Sequence, residues 1–266
     1  MTESYSNTSE DVSPEVAAAK QKHHFDDIAH DYERYRGSEI WPSLLHSLSS
    51  IVPKTGTVLD VATGTGLFGI RLAQEGFHVI GVDLNPRMLA QATRKAKEQG
   101  CSFNAVVGSA EELPLHEKSI SLMYTTNAIH LFDLQAHFRE VSRVLKPGGS
   151  YIVYTRFKKH NDRSIWGRLF PLFAEKETRL YNPEDFERLD RQLHGLVMQS
   201  LNELSFEIPF SHDQLLQDAH RRKYSTFAFY DEAEFSRACS TFRARLQEWK
   251  EKFYRVEIGC MVFRHV

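Results

Sequence analysis

The stretch that decides the fold is VLDVATGTGLFG, residues 58–69. Residues 58–61 have the length and apolar composition of a buried strand, and the glycines that follow break the pattern before a helix begins. Glycine at 64 and 66 lets backbone amides approach a ligand closely, which a side chain would prevent. Asp60 adds a carboxylate beside that approach, where it suits a cationic group such as an ammonium. The sequence therefore predicts a strand–turn–helix unit with a ligand at the turn.

Strand and helix signals alternate regularly on either side of this unit. Strands separated by helices are joined in parallel, because a parallel connection needs a long crossover. We therefore predict an α/β fold: a doubly wound, mostly parallel, Rossmann-like sheet with helices on both faces and its ligand at the carboxyl ends of the strands. The predicted strands are 58–61, 78–82, 103–107, 120–125 and 151–155, and the helices are 67–74, 86–100 and 134–145.

The regular alternation ends near residue 157. Residues 158–253 are rich in aromatic and charged side chains and predict an inserted helical cap that forms the substrate region, with one strand at 204–209. Residues 254–266 alternate as a final strand and complete a seven-stranded sheet. Upstream, residues 1–14 predict a disordered tail. Residues 15–157 then comprise N-terminal helices and the cofactor-binding core.

Composition limits the function classes. The chain has 266 residues and a net charge of −2, so no overall positive charge attracts nucleic acid or an anionic membrane. No apolar run approaches the roughly 20 residues of a membrane-spanning helix, and the start of the chain lacks a signal-peptide pattern. The three cysteines lie far apart and predict neither a disulfide framework nor a metal site. We expect a cytoplasmic protein without membrane insertion, a nucleic-acid partner or a metal.

A second acidic residue extends the ligand site. Asp83 ends the second predicted strand, 19 residues after Gly64, where a carboxylate accepts hydrogen bonds from both ribose hydroxyls of a nucleotide. Residues 64–69, GTGLFG, also match the glycine pattern of dinucleotide-binding enzymes. The turn and Asp83 by themselves therefore fit an NAD-dependent oxidoreductase almost as well as another nucleotide-binding enzyme.

Five motifs in order make the chain resemble the class I S-adenosylmethionine-dependent methyltransferases. The resemblance covers roughly residues 25–155, and the motif at 25–36 is similar to the N-terminal helix of small-molecule methyltransferases. It implies S-adenosylmethionine as cofactor, and the motifs at 25–36, 108–115 and 143–153 are not expected of a dehydrogenase. The motifs are FDDIAHDYERYR (25–36), VLDVATGTG (58–66), GVDLNPRML (81–89), GSAEELPL (108–115) and RVLKPGGSYIV (143–153).

The resemblance assigns the methionine and ribose parts of the cofactor to the glycine turn. Asp60 and the backbone of Ala62, Thr63 and Gly64 would hold the methionine part, and Asp83 would bind the ribose. Ala62 departs from the family, which has a glycine at this position. We expect alanine to fit if its φ is negative.

The adenine and the outer parts of the site come from other motifs. The resemblance implies that Leu84 and Met88 pack on the adenine and that Ala110 and Glu111 border it. Ser109 stands where the family often has aspartate, so its contact with the base is expected to be weaker.

Three further residues surround the predicted cofactor site. Asn127 would lie beneath the methionine part, and Tyr32 and Arg36 would close the site from the N-terminal helix. Arg36 is expected to pair with the cofactor carboxylate.

The sequence favours methyl transfer to a small, partly apolar organic acceptor. His130, after the fourth strand, is the best candidate for a general base, although the simpler interpretation is that this histidine only packs or hydrogen-bonds in a loop. The cap aromatics fit an acceptor pocket or, more simply, the cap's own core. Methylation of RNA or protein is an alternative with one support, the basic cluster at 220–223. A protein that binds the cofactor and has another activity is a further alternative.

Overall fold

The computed structural model describes residues 56–189 and 195–266. The first half follows the predicted alternation. Helices α1, α2 and α3 follow strands β1, β2 and β4, a loop joins β3 to β4, and one 3-10 helix lies between β4 and α3. The elements are β1 (Thr57–Val61), α1 (Leu67–Gln74), β2 (His78–Asp83), α2 (Pro86–Glu98), β3 (Phe103–Val107), β4 (Ile120–Thr126), a 3-10 helix (Ile129–Leu131), α3 (Leu134–Val144) and β5 (Leu145–Thr155).

The second half consists mainly of helices and two long strands that pair antiparallel with each other. The elements are α4 (Lys158–Arg163), α5 (Ile165–Leu169), α6 (Phe173–Lys176), α7 (Pro183–Leu189), β6 (Leu196–Pro209), α8 (His212–His220), a 3-10 helix (Ser225–Phe229), α9 (Glu232–Glu248) and β7 (Phe253–His265). None of the helices in the described ranges has the length and apolarity that crossing a membrane requires.

The strands form one seven-stranded sheet in the order β3-β2-β1-β4-β5-β7-β6. Strands β1 to β5 are parallel, whereas β7 is antiparallel to both of its neighbours. The predicted doubly wound, mostly parallel sheet is thereby confirmed. Strand order reverses between β1 and β4, so the crevice at the carboxyl ends of these strands is where such a sheet binds ligands.

Alternating side chains of the central strands supply two separate cores. Leu59 packs with Phe138 of α3 on one face, and Val58 packs with Phe68 and Leu72 of α1 on the other. Each side chain of this kind contributes about 1.5–3 kcal/mol when it is fully buried. The two faces hold the strands rigidly, and the loops at their carboxyl ends are therefore fixed in position.

The cap has its own aromatic core. Trp166 stacks on Phe242 with ring centroids 5.1 Å apart, and Phe170 meets Phe227 edge to face at 4.9 Å. The rings of Trp166, Phe170, Phe173 and Phe227 are almost completely buried. Of the two interpretations of the cap aromatics, a core of the cap itself fits these residues.

Two predicted boundaries differ from the structure. The strand predicted at 204–209 within the cap begins at Leu196 and belongs to the main sheet, because β6 pairs with β7 along its whole length. The strand predicted at 151–155 begins at Leu145 and contains a bulge at residues 146–149, since Leu145 pairs with Ile120 and Ser150 pairs with Leu122. Neither change alters the carboxyl edge of the parallel strands.

Candidate active site

The turn after β1 is built from residues with left-handed backbone. Ala62, Gly64 and Gly66 have φ values of 56°, 56° and 73°. The backbone N–H of Thr63 donates to the carbonyl of Val82 at 3.1 Å, which ties the turn to the end of β2. The expectation that Ala62 has a negative φ is wrong, because this tie holds the turn in the form that the family's glycine adopts freely.

Asp60 lies beneath this turn and is almost completely buried. Its Oδ2 accepts a hydrogen bond of 2.6 Å from the hydroxyl of Thr63. Burial raises the pKa of Asp60 to about 7, although the bonds from Thr63 and Tyr124 and from the Gly69 backbone oppose the rise. The carboxyl is thus poised between its neutral and charged forms near neutral pH, and a nearby cation would favour the charged form.

Asp83 connects the turn to the start of α2. Its Oδ2 accepts the backbone N–H of Gly64 and its Oδ1 accepts that of Asn85, both at 2.8 Å. Burial raises the pKa of Asp83 against these two hydrogen bonds. Each carboxylate oxygen keeps a further lone pair, so the side chain can still accept two hydroxyl groups.

The loop after β3 is fixed by its own side chains. The backbone N–H of Gly108 donates to the carbonyl of Asp83 at 3.1 Å. The Ser109 hydroxyl donates to the Glu111 carboxylate and accepts the backbone N–H of Glu111 at 3.1 Å. Glu111 also accepts the backbone N–H of Asp133 at 3.1 Å. Because the Ser109 hydroxyl donates its proton to Glu111, it can only accept a hydrogen bond from the adenine of a bound cofactor.

A buried histidine, which the sequence analysis did not single out, supports this loop from α3. The ring of His137 hydrogen-bonds the carbonyl of Ala110 at 2.9 Å and the hydroxyl of Tyr151 at 2.7 Å. Burial lowers the pKa of His137 to about 4, so the ring is neutral at pH 7. Glu140 holds the same loop through the backbone N–H of Leu113 at 2.7 Å.

Apolar surface is present where the adenine is expected. Leu84, directly after Asp83, is 67% exposed, and Val107 at the end of β3 is 58% exposed. Met88 is buried in α2, where Asn85 caps the helix by accepting the N–H groups of Arg87 and Met88. A flat apolar ligand would cover Leu84 and Val107.

The loop after β4 carries Asn127 and His130. Asn127 has a φ of 51°, and its backbone N–H donates to the carbonyl of Tyr154 at 2.8 Å. His130 is partly buried in the 3-10 helix that follows. It lies within electrostatic reach of Glu177, whose pKa it helps to lower.

The described site residues all lie at one edge of the sheet, along β3, β2, β1 and β4. Tyr32 and Arg36, predicted to close the site, are outside the described residues. In the cap, Arg222 pairs with Glu232 and Lys223 with Asp218, so half of the 220–223 basic cluster is neutralised locally. The described residues include no group of three metal-ligating side chains.

Replacing Ala62 by glycine is expected to stabilise the protein. Alanine in the left-handed region costs roughly 1–2 kcal/mol, and glycine removes this strain while losing some entropy on folding. We expect the free energy of unfolding in urea to rise by about 1 kcal/mol. Ala90→Gly, at an exposed position in the interior of α2, is the matched control and should lower it by about 1 kcal/mol. A destabilised Ala62→Gly variant would contradict the left-handed assignment.

Residues 58–149 match the family model described as a methyltransferase domain. An uncharacterized methyltransferase of Mycobacterium tuberculosis is 40% identical over 92 residues, which are 35% of this chain and 36% of the relative. The uncharacterized methyltransferase YodH of Bacillus subtilis is 25% identical over 181 residues, covering 60% of this chain and 77% of the relative. The chain spans only about a third of the length of the first curated relatives that it matches.

Solved structures extend the likeness beyond the matched domain. A putative methyltransferase from an antibiotic biosynthesis pathway of Anabaena variabilis superposes with a TM-score of 0.67 at 18% identity, covering 84% of this chain and 97% of that one. Geranyl diphosphate C-methyltransferase of Streptomyces coelicolor, solved with S-adenosyl-L-homocysteine, has a TM-score of 0.55 at 17% identity, covering 86% and 80%.

Residues 58–149 are therefore a methyltransferase domain, and the chain has the class I S-adenosylmethionine-dependent methyltransferase fold.

Proposed function

We propose that the protein transfers a methyl group from S-adenosylmethionine to a small, partly apolar organic acceptor. One observation carries the proposal: Asp83 at the end of β2 accepts the Gly64 amide of the β1 turn, so the ribose acceptor and the glycine turn form one rigid unit. That unit lies at the carboxyl ends of adjacent parallel strands, inside the matched methyltransferase domain.

Different residues of the site would bind different parts of the cofactor. Asp83 would accept the ribose hydroxyls. Leu84 and Met88, with Ser109, Ala110 and Glu111, would enclose the adenine. The backbone from Ala62 to Gly64 and Asn127 would hold the methionine part above Asp60, and Tyr32 and Arg36 would close over it.

In such a reaction the protein mainly has to align the acceptor atom with the methyl group of the cofactor. Bound S-adenosylmethionine supplies a methyl group that is already activated on a sulfonium, so the chain must orient the acceptor atom in line and exclude water. His130 is the proposed general base for an acceptor whose proton must leave. The loop that carries His130 also contacts the cap, since the Tyr181 hydroxyl donates to the carbonyl of Phe132 at 3.4 Å, so an acceptor beside His130 would lie near the cap.

Asp60 predicts a proton linkage in cofactor binding. Its pKa of about 7 means that the carboxyl is about half protonated at pH 7, and a bound α-ammonium would lower that pKa and release the proton. Affinity should therefore rise with pH and level off above the free pKa. Titration calorimetry in buffers of different ionisation enthalpy should show that the wild type releases about half a proton more than Asp60→Asn. Equal proton release by both proteins would contradict the assignment of Asp60.

Methyl transfer is tested with labelled donor. The protein is incubated with S-adenosylmethionine that carries a labelled methyl group and with a metabolite extract, and the products are separated by mass. A labelled small organic product supports the proposal, whereas label recovered in RNA or protein would support the alternative acceptors. Donor binding without any labelled product would favour a cofactor-binding protein with another activity.

A further inference from the structure

Residues 177–182 of the cap, which connect α6 to α7, lie beside the carboxyl edge of β4 and β5. The backbone N–H of Lys158, just after β5, donates to the carbonyl of Tyr181 at 3.1 Å. The Tyr181 hydroxyl reaches the carbonyl of Phe132 in the loop after β4 at 3.4 Å. The cap residues immediately before Tyr181 are thereby held beside the loop that carries His130.

Glu177 and Arg179, within this segment, form a buried ion pair. Arg179 donates from Nε to Glu177 Oε1 at 2.8 Å and from Nη2 to Oε2 at 2.5 Å. Thr226 donates its hydroxyl to Glu177 at 2.7 Å, and Arg179 Nη2 also donates to the Ser225 hydroxyl at 3.0 Å. The Glu177 carboxylate is therefore satisfied from two sides.

The other nitrogen of the Arg179 guanidinium has a different environment. Nη1 of Arg179 is buried and makes no hydrogen bond within the part of the chain that the structure describes. The guanidinium lies over the ring of Phe229, 4.8 Å from its centroid, which fixes its plane. A buried charged donor without an acceptor is costly, so an anionic oxygen at Nη1 would stabilise this arrangement.

A second arginine meets the same part of the cap. Arg156 directly follows β5, so it lies at the carboxyl edge, beside the strand that leads to His130. Its guanidinium is 5.4 Å from the ring centroid of Tyr224, the residue before Ser225. Across the described ranges, Arg156 pairs with no carboxylate. Both arginines therefore contact neighbouring residues of one short segment, 224–229.

The charges of this cluster do not cancel. Glu177 neutralises one of the two guanidinium groups. Burial alone would raise the pKa of Glu177, but the hydrogen bonds and charge of Arg179 outweigh burial and hold that pKa below its usual range. Glu177 is thus charged at neutral pH, and one positive charge remains on the two arginines. The rings of Tyr224 and Phe229 stand beside it and offer apolar surface.

From this geometry we infer that the acceptor carries an anionic group, a phosphate or a carboxylate, and that Arg156 and Arg179 bind it beside His130. The inference rests on the proposed function, because it assigns the acceptor of that reaction. Planar guanidinium groups bind both kinds of oxyanion strongly when they are shielded from water. Tyr224 and Phe229 would contact the apolar part of the same molecule.

The test uses three probes with the same chain and different head groups: octyl phosphate, octanoate and octanol. Each is titrated by calorimetry into the full-length protein after saturation with S-adenosylhomocysteine, whose own binding is recorded first. We expect octyl phosphate or octanoate to bind at least about tenfold more tightly than octanol, since hydrogen bonds between a guanidinium and an anionic oxygen are much stronger than those to a neutral hydroxyl. Comparison of octyl phosphate with octanoate shows whether the site prefers a phosphate or a carboxylate.

Two variants assign the preference to these arginines. Arg156→Gln leaves no buried carboxylate unpaired, and Arg179→Lys keeps a cation beside Glu177 but removes Nη1. Each should reduce the preference for the anion about tenfold and leave the affinity for octanol and S-adenosylhomocysteine within about twofold. Arg168→Gln is the matched control, because Arg168 also lies over an aromatic ring, Trp249, but is exposed elsewhere on the cap.

Several results would overturn the inference. The inference is wrong if neither anionic probe binds, or if octanol binds as tightly as the anions. It is also wrong if the preference for the anions over octanol survives both variants, or falls equally in Arg168→Gln. If S-adenosylhomocysteine binds in the same experiment, such a result removes only the anionic acceptor. Absence of S-adenosylhomocysteine binding would instead remove the proposed function.

Discussion

Replacing Asp83 by alanine is expected to weaken S-adenosylmethionine binding about a hundredfold or more. The change removes the acceptor proposed for two ribose hydroxyls, and hydrogen bonds to a charged group contribute 1.5–3 kcal/mol each. It also leaves the backbone N–H groups of Gly64 and Asn85 without their shared acceptor, which loosens the glycine turn. Calorimetric titration of the wild type and Asp83→Ala gives the two dissociation constants.

Asp213→Ala is the matched control for this prediction. Asp213 is an exposed aspartate in α8 of the cap, so the same chemical change is made away from the carboxyl edge. Its dissociation constant should stay within about twofold of the wild type. An Asp83→Ala protein that is folded by circular dichroism and binds within about threefold of the wild type would refute the role of Asp83.

Replacing Gly167 by alanine should cause the largest loss of stability among single methyl additions in the cap. The new Cβ would lie 2.2 Å from the carbonyl oxygen of Asn161 and 2.9 Å from that of Asp162. Both contacts are to backbone, so no side-chain rotation relieves them and α5 must shift against α4. We expect the free energy of unfolding in urea to fall by about 3 kcal/mol.

The same variant separates the cap from the cofactor site. Gly167 belongs to the element that carries Trp166 into the cap core, whereas the glycine turn is held by the sheet. The affinity for S-adenosylmethionine should therefore change little. The rate of acceptor methylation should fall, because the packing of the cap is disturbed. Gly76→Ala, whose Cβ meets nothing within 4 Å, is the control and costs only its left-handed backbone, about 1 kcal/mol. A loss in Gly167→Ala no larger than this would contradict the packing.

The sheet and the cofactor edge were predictable because their signals are local. Residues 57–126 alternate between apolar runs and helical spacing, and β2, β3 and β4 each end at or directly before glycine or a polar residue, so type and order of the elements follow from the sequence. Asp60 and Asp83 were identified for the same reason. Each stands at the end of a strand, where side chains converge.

Features that depend on partners distant in sequence were not predictable. Nothing near Ala62 reveals that the Thr63–Val82 hydrogen bond imposes a positive φ. Similarly, His137 lies in an ordinary amphipathic helix, and its support of Ala110 depends on the close approach of α3 to a loop 27 residues away in sequence.

The cap shows the same limit more strongly. Its aromatic residues indicated a core or a pocket, and only the packing shows that Trp166 and Phe227 are core. Arg179 and Glu177 stand two residues apart and look like a surface ion pair in the sequence. Their importance comes from burial and from Ser225 and Thr226, which are 46 and 49 residues distant.

Strand β6 was predicted too short because residues 196–203, LVMQSLNE, do not alternate regularly between apolar and polar. Its pairing with β7 supplies backbone hydrogen bonds that need no apolar pattern.

The most direct measurement is the binding of S-adenosylmethionine and NAD to the unmodified protein by titration calorimetry. Both cofactors contain an adenosine that fits a glycine turn followed by an acid at the end of the next strand, so this comparison decides between them. We predict saturable binding of S-adenosylmethionine near one molecule per chain and no measurable binding of NAD. Tight binding of NAD without binding of S-adenosylmethionine would contradict the assignment of the site from Asp60 to Asp83.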